Sequence, residues 1–112
     1  METIARAYPI KSKKDLLAFA KEVDAWPAEK KAAFRTYFGE GSRERWFYQK
    51  IDGKPYVISI ADIARPEGFA DYMASDDDFT SWFRKRAKKL TGWSFKKKPK
   101  GPPTELVYEL NP

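Results

Sequence analysis

The sequence predicts an α+β fold in which a four-stranded antiparallel sheet carries helices on one face. Three observations favour this class. Alternating strand patterns lie near both ends of the chain, a hairpin signature lies in the middle, and helical periodicity fills the two intervals between them. With 112 residues, the chain is predicted to be a single domain, residues 1–112, built around one core.

The first part of the chain predicts one strand and two helices. Residues 3–10, "TIARAYPI", alternate and contain a proline near their end, as an edge strand can. Ser12 is placed to cap a helix over residues 13–25, whose apolar residues recur at helical spacing. Pro27 then opens a second predicted helix, "PAEKKAAFRTYF".

The middle of the chain predicts a β-hairpin. The runs "RERWFYQKI" and "KPYVISIAD" are separated by the Asp-Gly pair at 52–53, which supplies the positive φ angles of a type I′ turn. A two-residue loop fixes the register, so Ile51 is expected opposite Lys54.

This register gives the hairpin two faces. One carries Phe47, Ile58 and Ile60, and we expect it to pack against the helices. The other carries Trp46 and Tyr48, which would then lie on an open sheet face. Large exposed aromatic side chains indicate a surface for a partner or a ligand.

The last part of the chain predicts two helices and a strand. "RPEGFADYMAS" forms the first helix, Asp76–Asp78 begin a longer one, and Gly92 ends it. "TELVYEL" alternates and is expected to be the fourth strand. The resulting order, β-α-α-β-β-α-α-β, is that of a ferredoxin-like sandwich.

The composition excludes several kinds of site. The chain contains no cysteine and no histidine, so we predict no metal site and no cofactor, and any catalysis would use carboxylates, Tyr, Lys, Arg, Ser or Thr. No apolar run approaches the ~18 residues of a membrane span, and the N-terminus lacks the apolar core of a signal peptide. We expect a cytoplasmic protein that does not interact with membranes.

Basic residues concentrate in one stretch. Nine of the 22 Lys and Arg residues lie within 84–100, which contains no acid. A solvated helix surface followed by a loop explains this pattern, and binding of nucleic acid or another anionic surface is the alternative. The residues that would bind the anion are Lys85, Lys88, Lys89, Lys96, Lys97 and Lys98.

One arginine in this stretch is expected to point toward the core. A helical wheel places Arg86 within the apolar stripe of Phe79 and Phe83, and places Arg84 outside it. A guanidinium on an apolar face needs a carboxylate or an anion. Arg86 is therefore predicted to form an ion pair or to hold an anionic ligand.

The segments "RERWFYQKIDGKPYVISIAD" and "EGFADYMASDDDFTSWFRKRAKKLTG" resemble uncharacterised bacterial families of the dimeric α/β-barrel superfamily, which also contains antibiotic-biosynthesis-monooxygenase-like proteins. The resemblance covers roughly residues 3–110. It implies a homodimer in which two subunits pair their open sheet faces, and small-molecule binding between sheet and helices. The histidine and asparagine residues that active members tend to use have no counterpart here except Asn111.

The predicted function is small-molecule binding. The side chains expected to bind the ligand are Arg6, Tyr8, Trp46, Tyr48, Arg86 and Glu109. The alternative is a purely structural role, in which these polar groups pack in a dimer interface. The residues leave open whether the chain is also a metal-free enzyme, such as a cofactor-independent monooxygenase or isomerase. They also leave open the alternative of a nucleic-acid or anionic-surface binder that acts through residues 84–100.

Overall fold

The computed structural model describes residues 1–96 and 104–112, and in it one sheet face is covered by helices. The three strands run antiparallel in the order β1-β3-β2. In chain order, the elements are β1 (Glu2–Pro9), α1 (Lys13–Asp24), α2 (Ala28–Lys31), α3 (Ala33–Phe38), β2 (Arg43–Ile51), β3 (Lys54–Ile63), α4 (Gly68–Ala74) and α5 (Asp78–Thr91).

The predicted four-stranded sheet, and with it the complete ferredoxin-like sandwich, is wrong. Residues 104–112, which include the predicted last strand, form no regular structure and are exposed. Alternation indicates a strand only where a neighbouring strand can supply the ladder of hydrogen bonds. Here Ala5 N of β1 donates a hydrogen bond to the side chain of Thr104, with Oγ1 at 3.1 Å, and the segment forms no strand ladder with β1. The general α+β class is correct.

The hairpin prediction is confirmed. Asp52 and Gly53 have φ angles of 52° and 77°, as a type I′ turn requires. Ile51 pairs with Lys54, and the antiparallel ladder continues to Arg43 opposite Asp62.

The predicted orientation of the hairpin is wrong. The inner face of the sheet, which packs against the helices, carries Trp46, Tyr48 and Val57, and the outer face carries Phe47 and Ile58. Trp46 stacks on Phe19 of α1 with ring centroids 5.0 Å apart. Both faces of this hairpin are rich in apolar residues, so alternation alone could not decide which of them the helices cover.

The sequence predicted the capping residues of α1 and α5. Ser12 Oγ accepts a hydrogen bond from Asp15 N at 3.1 Å and caps α1. Asp77 caps α5 by accepting from Thr80 N at 2.8 Å, and Gly92, with φ 80°, ends that helix. The predicted second helix is divided into α2 and α3.

Aromatic packing joins the helices to the sheet. Phe79 and Phe19 are each 2% exposed and lie in the buried cluster that includes Val57 of β3. Phe34 contacts Phe79 and Phe83, with ring centroids 5.2 and 5.0 Å apart. These contacts fix α3 and α5 above the inner face of the sheet.

None of the helices within residues 1–96 and 104–112 has the length and apolar character needed to cross a membrane.

Candidate functional site

A cavity of about 760 Å³ lies between the inner face of the sheet and the helices. Its wall is mostly aliphatic and aromatic, and residues of all three strands contribute to it. Small-molecule pockets in proteins occupy roughly 300–1,000 Å³ and are mainly apolar with a few polar groups. The cavity is therefore large enough to hold a bicyclic aromatic compound.

Arg6 is a cation of this wall that has no ion-pair partner among the described residues, and Lys31 of α2 is another. Arg6 lies on β1, opposite Ser59, and is half-buried. Two other arginines that line the cavity are in ion pairs, Arg43 with Asp62 at 3.0 Å and Arg35 with an exposed glutamate. Within residues 1–96 and 104–112, the Arg6 guanidinium has no hydrogen bond and no ion pair. A cation in this position attracts an anionic group.

Glu44 organises a polar corner of the same wall. Its Oε1 accepts hydrogen bonds from Trp46 Nε1 at 2.8 Å and from Ser59 Oγ at 2.7 Å. The three side chains share the inner face because Trp46 pairs with Ser59 across the two strands. Among the described residues, Oε2 of Glu44 accepts no hydrogen bond, so this oxygen can accept one from a ligand.

Two phenols lie near these groups. Burial raises the pKa of Tyr8, an effect that Arg6 opposes and Glu44 supports. Burial also raises the pKa of Tyr72, again with support from Glu44 and opposition from Arg84. Both phenols are therefore protonated at neutral pH and can donate a hydrogen bond.

Three of the six predicted ligand-binding residues meet at the cavity. Arg6, Tyr8 and Trp46 line it. Tyr48 shares the inner face but lies outside the lining, with the Lys13 ammonium 5.6 Å from its ring centroid. Glu109 lies in the exposed C-terminal segment and outside the lining of the cavity.

Arg86 lies outside the cavity and forms an ion pair. Its Nη2 is 2.7 Å from Glu22 Oε2, and its guanidinium lies 5.2 Å from the centroid of the Phe19 ring. The ion-pair alternative therefore accounts for its charge.

Arg84, predicted to be solvent-exposed, is the buried arginine of α5. It is 3% exposed, and its guanidinium donates hydrogen bonds to the backbone oxygens of Tyr72 and Ser75 at the end of α4. A helical wheel shows one apolar stripe, but the Arg84 side chain lies against the C-terminal end of α4, a contact that the periodicity of α5 does not reveal. The guanidinium is the donor to the Ser75 oxygen and adds a second donor to the Tyr72 oxygen, which also accepts from the Ser75 N–H at the end of α4.

The predicted anion-binding stretch is only partly described. Lys85, Lys88, Lys89 and Lys96 are exposed, whereas Lys97 and Lys98 lie outside the described residues. The aromatic residues of the stretch pack on Tyr8, with ring centroids 5.9 Å away for Trp93 and 5.5 Å for Phe95. These two rings are thus engaged with the sheet and line the cavity.

Sequence reasoning missed Ser59 and Tyr72 as cavity groups. Ser59 interrupts the apolar run "YVISIA" and shares a face with Glu44, which was a usable signal. Tyr72 gave no such signal, because its place beside the sheet depends on how α4 packs against α3.

A polar cluster joins α3 to the start of α5. The Asp77 carboxylate accepts hydrogen bonds from Tyr37 Oη at 2.5 Å, Ser75 Oγ at 2.6 Å and Thr80 N at 2.8 Å. Burial alone would raise the pKa of Asp77, but the hydrogen bonds from Ser75, Tyr37 and Thr80 outweigh it and hold that pKa well below its usual range.

Asp77→Asn should lower the free energy of unfolding at pH 7 by about 1–2 kcal/mol, because an amide cannot accept all three hydrogen bonds. A lowered pKa in the folded state stabilises the protein above the unfolded pKa of about 3.9, and that stabilisation is lost as the pH falls below it. The difference between variant and wild type should therefore shrink between pH 5 and pH 3 in urea titrations. Asp76→Asn, at the exposed neighbour, is the control, and an equal effect there would contradict the assignment.

Comparison with protein-family models, with curated proteins and with solved structures finds no match to this chain. Within residues 1–96 and 104–112, no group of three or more acidic side chains is arranged to hold a metal ion. The resemblance to the dimeric α/β-barrel superfamily stays a prediction.

Proposed function

We propose that the chain binds a small apolar molecule with one anionic group in the cavity between the sheet and the helices. The observation that carries the proposal is the unpaired Arg6 guanidinium in an otherwise largely apolar wall. The apolar body of the ligand would contact aromatic rings, and its anionic group would pair with Arg6. Tyr8, beside Arg6, would donate a second hydrogen bond to the anion.

A fluorescent probe pair tests both parts of this proposal. The anionic probe 1-anilinonaphthalene-8-sulfonate should bind the wild-type protein, and Arg6→Met should weaken binding about 10- to 100-fold, as expected for the loss of a charged hydrogen bond. N-phenyl-1-naphthylamine has the same rings without the sulfonate. Its affinity should be the same for both proteins, as measured by fluorescence titration.

Arg45→Met is the matched control, since Arg45 is an arginine on the outer face of the same sheet. It should leave the affinity for both probes unchanged. The proposal fails if the anionic probe binds Arg6→Met as tightly as wild type, or if Arg45→Met weakens it equally. Circular dichroism must show that each variant is folded.

A metal-free enzyme is the second candidate, and Glu44 favours it. Its Oε2, which has no partner among the described residues, could accept a proton from a bound ligand, and a protonated Tyr8 could polarise a ligand carbonyl, as an isomerase requires. The two functions differ in their dependence on Glu44. If the protein only binds its ligand, Glu44→Gln should leave the affinity unchanged. If the protein catalyses proton transfer, the same substitution should abolish the activity.

Neither a cofactor-independent monooxygenase reaction nor nucleic-acid binding is favoured by a specific contact among the described residues. Both stay predictions from the sequence, as does the cytoplasmic location.

A further inference from the structure

Two apolar surfaces are not covered by the residues that the structure describes. On the outer face of the sheet, Phe47 is 46% and Ile51 is 40% exposed. In the C-terminal segment, residues 104–112, the large apolar side chains are 70–86% exposed. These are Leu106, Val107, Tyr108 and Leu110.

The C-terminal segment begins at the edge of the sheet. Thr104 accepts the hydrogen bond from Ala5 N of β1, a strand that pairs only with β3 among the described strands. Beyond Thr104, no hydrogen bond joins the described residues of the segment to the sheet. The segment therefore starts at the β1 edge of the sheet, and its described residues do not cover the sheet of their own chain.

The charge of the segment complements that of the outer face. Residues 104–112 contain Glu105 and Glu109 and no basic residue. The outer face presents Arg45 and Lys54, and neither side chain forms an ion pair within the described residues. When extended, the segment places its leucines on one side and its glutamates on the other.

We propose that the C-terminal segment of one copy packs on the outer sheet face of a second copy, and that the exchange is reciprocal. Two-fold symmetry makes the two contacts identical, so one pairing covers both apolar surfaces in both copies. Leu106 and Leu110 would contact Phe47 and Ile51 of the second copy. This dimer does not depend on the proposed ligand.

Sedimentation over a range of concentrations tests the proposal on the full chain. Wild type should be a dimer, and the double variant Leu106→Asp/Leu110→Asp should raise the dimer dissociation constant at least about 100-fold, because two apolar contacts are lost. Phe47→Asp should weaken the dimer to a similar extent. Leu17→Asp is the matched control, because Leu17 is an exposed leucine on α1 and its substitution should have no effect.

The proposal is overturned if wild type is a monomer at about 100 µM, a concentration well above the dissociation constants of stable homodimers. It is equally overturned if the leucine double variant dimerises like wild type, even when Phe47→Asp does not, since the sheet faces would then pair without the segment. A loss of dimer in Leu17→Asp would also refute it.

A spin label separates exchange between copies from folding back within one copy. Because the chain has no cysteine, Tyr108→Cys gives a unique attachment site. Chains that carry the spin label but no ¹⁵N are mixed with ¹⁵N-enriched chains that carry no spin label. The proposal predicts selective broadening of the Phe47 and Ile58 amide signals, and the absence of broadening at these amides in a dimeric sample contradicts it.

Discussion

Gly68→Ala should lower the free energy of unfolding by about 3 kcal/mol or more. A Cβ atom on Gly68 would lie 1.8 Å from the backbone oxygen of Tyr37 and 2.6 Å from its carbonyl carbon. Since both atoms belong to backbone, no side-chain rotation relieves the clash, and α4 must move away from α3. That movement would disturb the Phe38–Phe69 contact, whose ring centroids are 5.1 Å apart.

The direction of this change in stability distinguishes a backbone clash from the usual effect of Gly→Ala in a helix. In an ordinary helix, Gly→Ala stabilises by about 0.5–1 kcal/mol because glycine loses more backbone entropy on folding. Ala70→Gly, at an exposed site in the same helix, should therefore destabilise by only about 1 kcal/mol. Chemical denaturation of both variants gives the comparison. A Gly68→Ala protein as stable as wild type would show that α3 and α4 are not packed this closely.

Arg84→Ala should lower the free energy of unfolding by about 3 kcal/mol. The substitution removes the guanidinium that donates to the Tyr72 and Ser75 carbonyl oxygens, of which the Tyr72 oxygen keeps the Ser75 N–H, and it removes a side chain that is 3% exposed. For a chain of this length, we expect the melting temperature to fall by about 12 °C.

Two further variants identify the source of that loss. Arg84→Met keeps most of the volume but donates no hydrogen bond, so its effect should lie between those of wild type and Arg84→Ala. Lys85→Ala changes an exposed neighbour and should shift stability by no more than about 0.5 kcal/mol. Thermal unfolding of the three variants tests this order, and an Arg84→Ala protein within 0.5 kcal/mol of wild type would contradict it.

Local structure was predictable where short-range rules dominate. The turn at Asp52 and Gly53, the Ser12 cap and the Gly92 helix end each depend on a few neighbouring residues, and each was predicted correctly. The last strand was not, because a strand needs a partner and its alternation does not say whether one exists. The segment from Thr104 finds none among the described residues of its own chain.

The site was predictable only in part, since it depends on which sheet face the helices cover. Arg6 and Tyr8, two positions apart on β1, share the face that lines the cavity, whereas Trp46 was expected on the opposite, open face of the sheet. The helical wheel wrongly placed Arg84 among the solvent-exposed residues for a related reason, whereas the ion pair expected of Arg86 is present. Packing by a second helix cannot be read from the periodicity of the first.

The indole N–H signals in a ¹H–¹⁵N spectrum test the central claim, ligand binding between sheet and helices, most directly. The chain has four tryptophans, and Trp46 and Trp93 line the cavity whereas Trp26 and Trp82 do not. Saturation with 1-anilinonaphthalene-8-sulfonate should shift the Trp46 and Trp93 signals far more than the other two. Shifts confined to Trp26 and Trp82, or no shift at saturation, would contradict binding in this cavity.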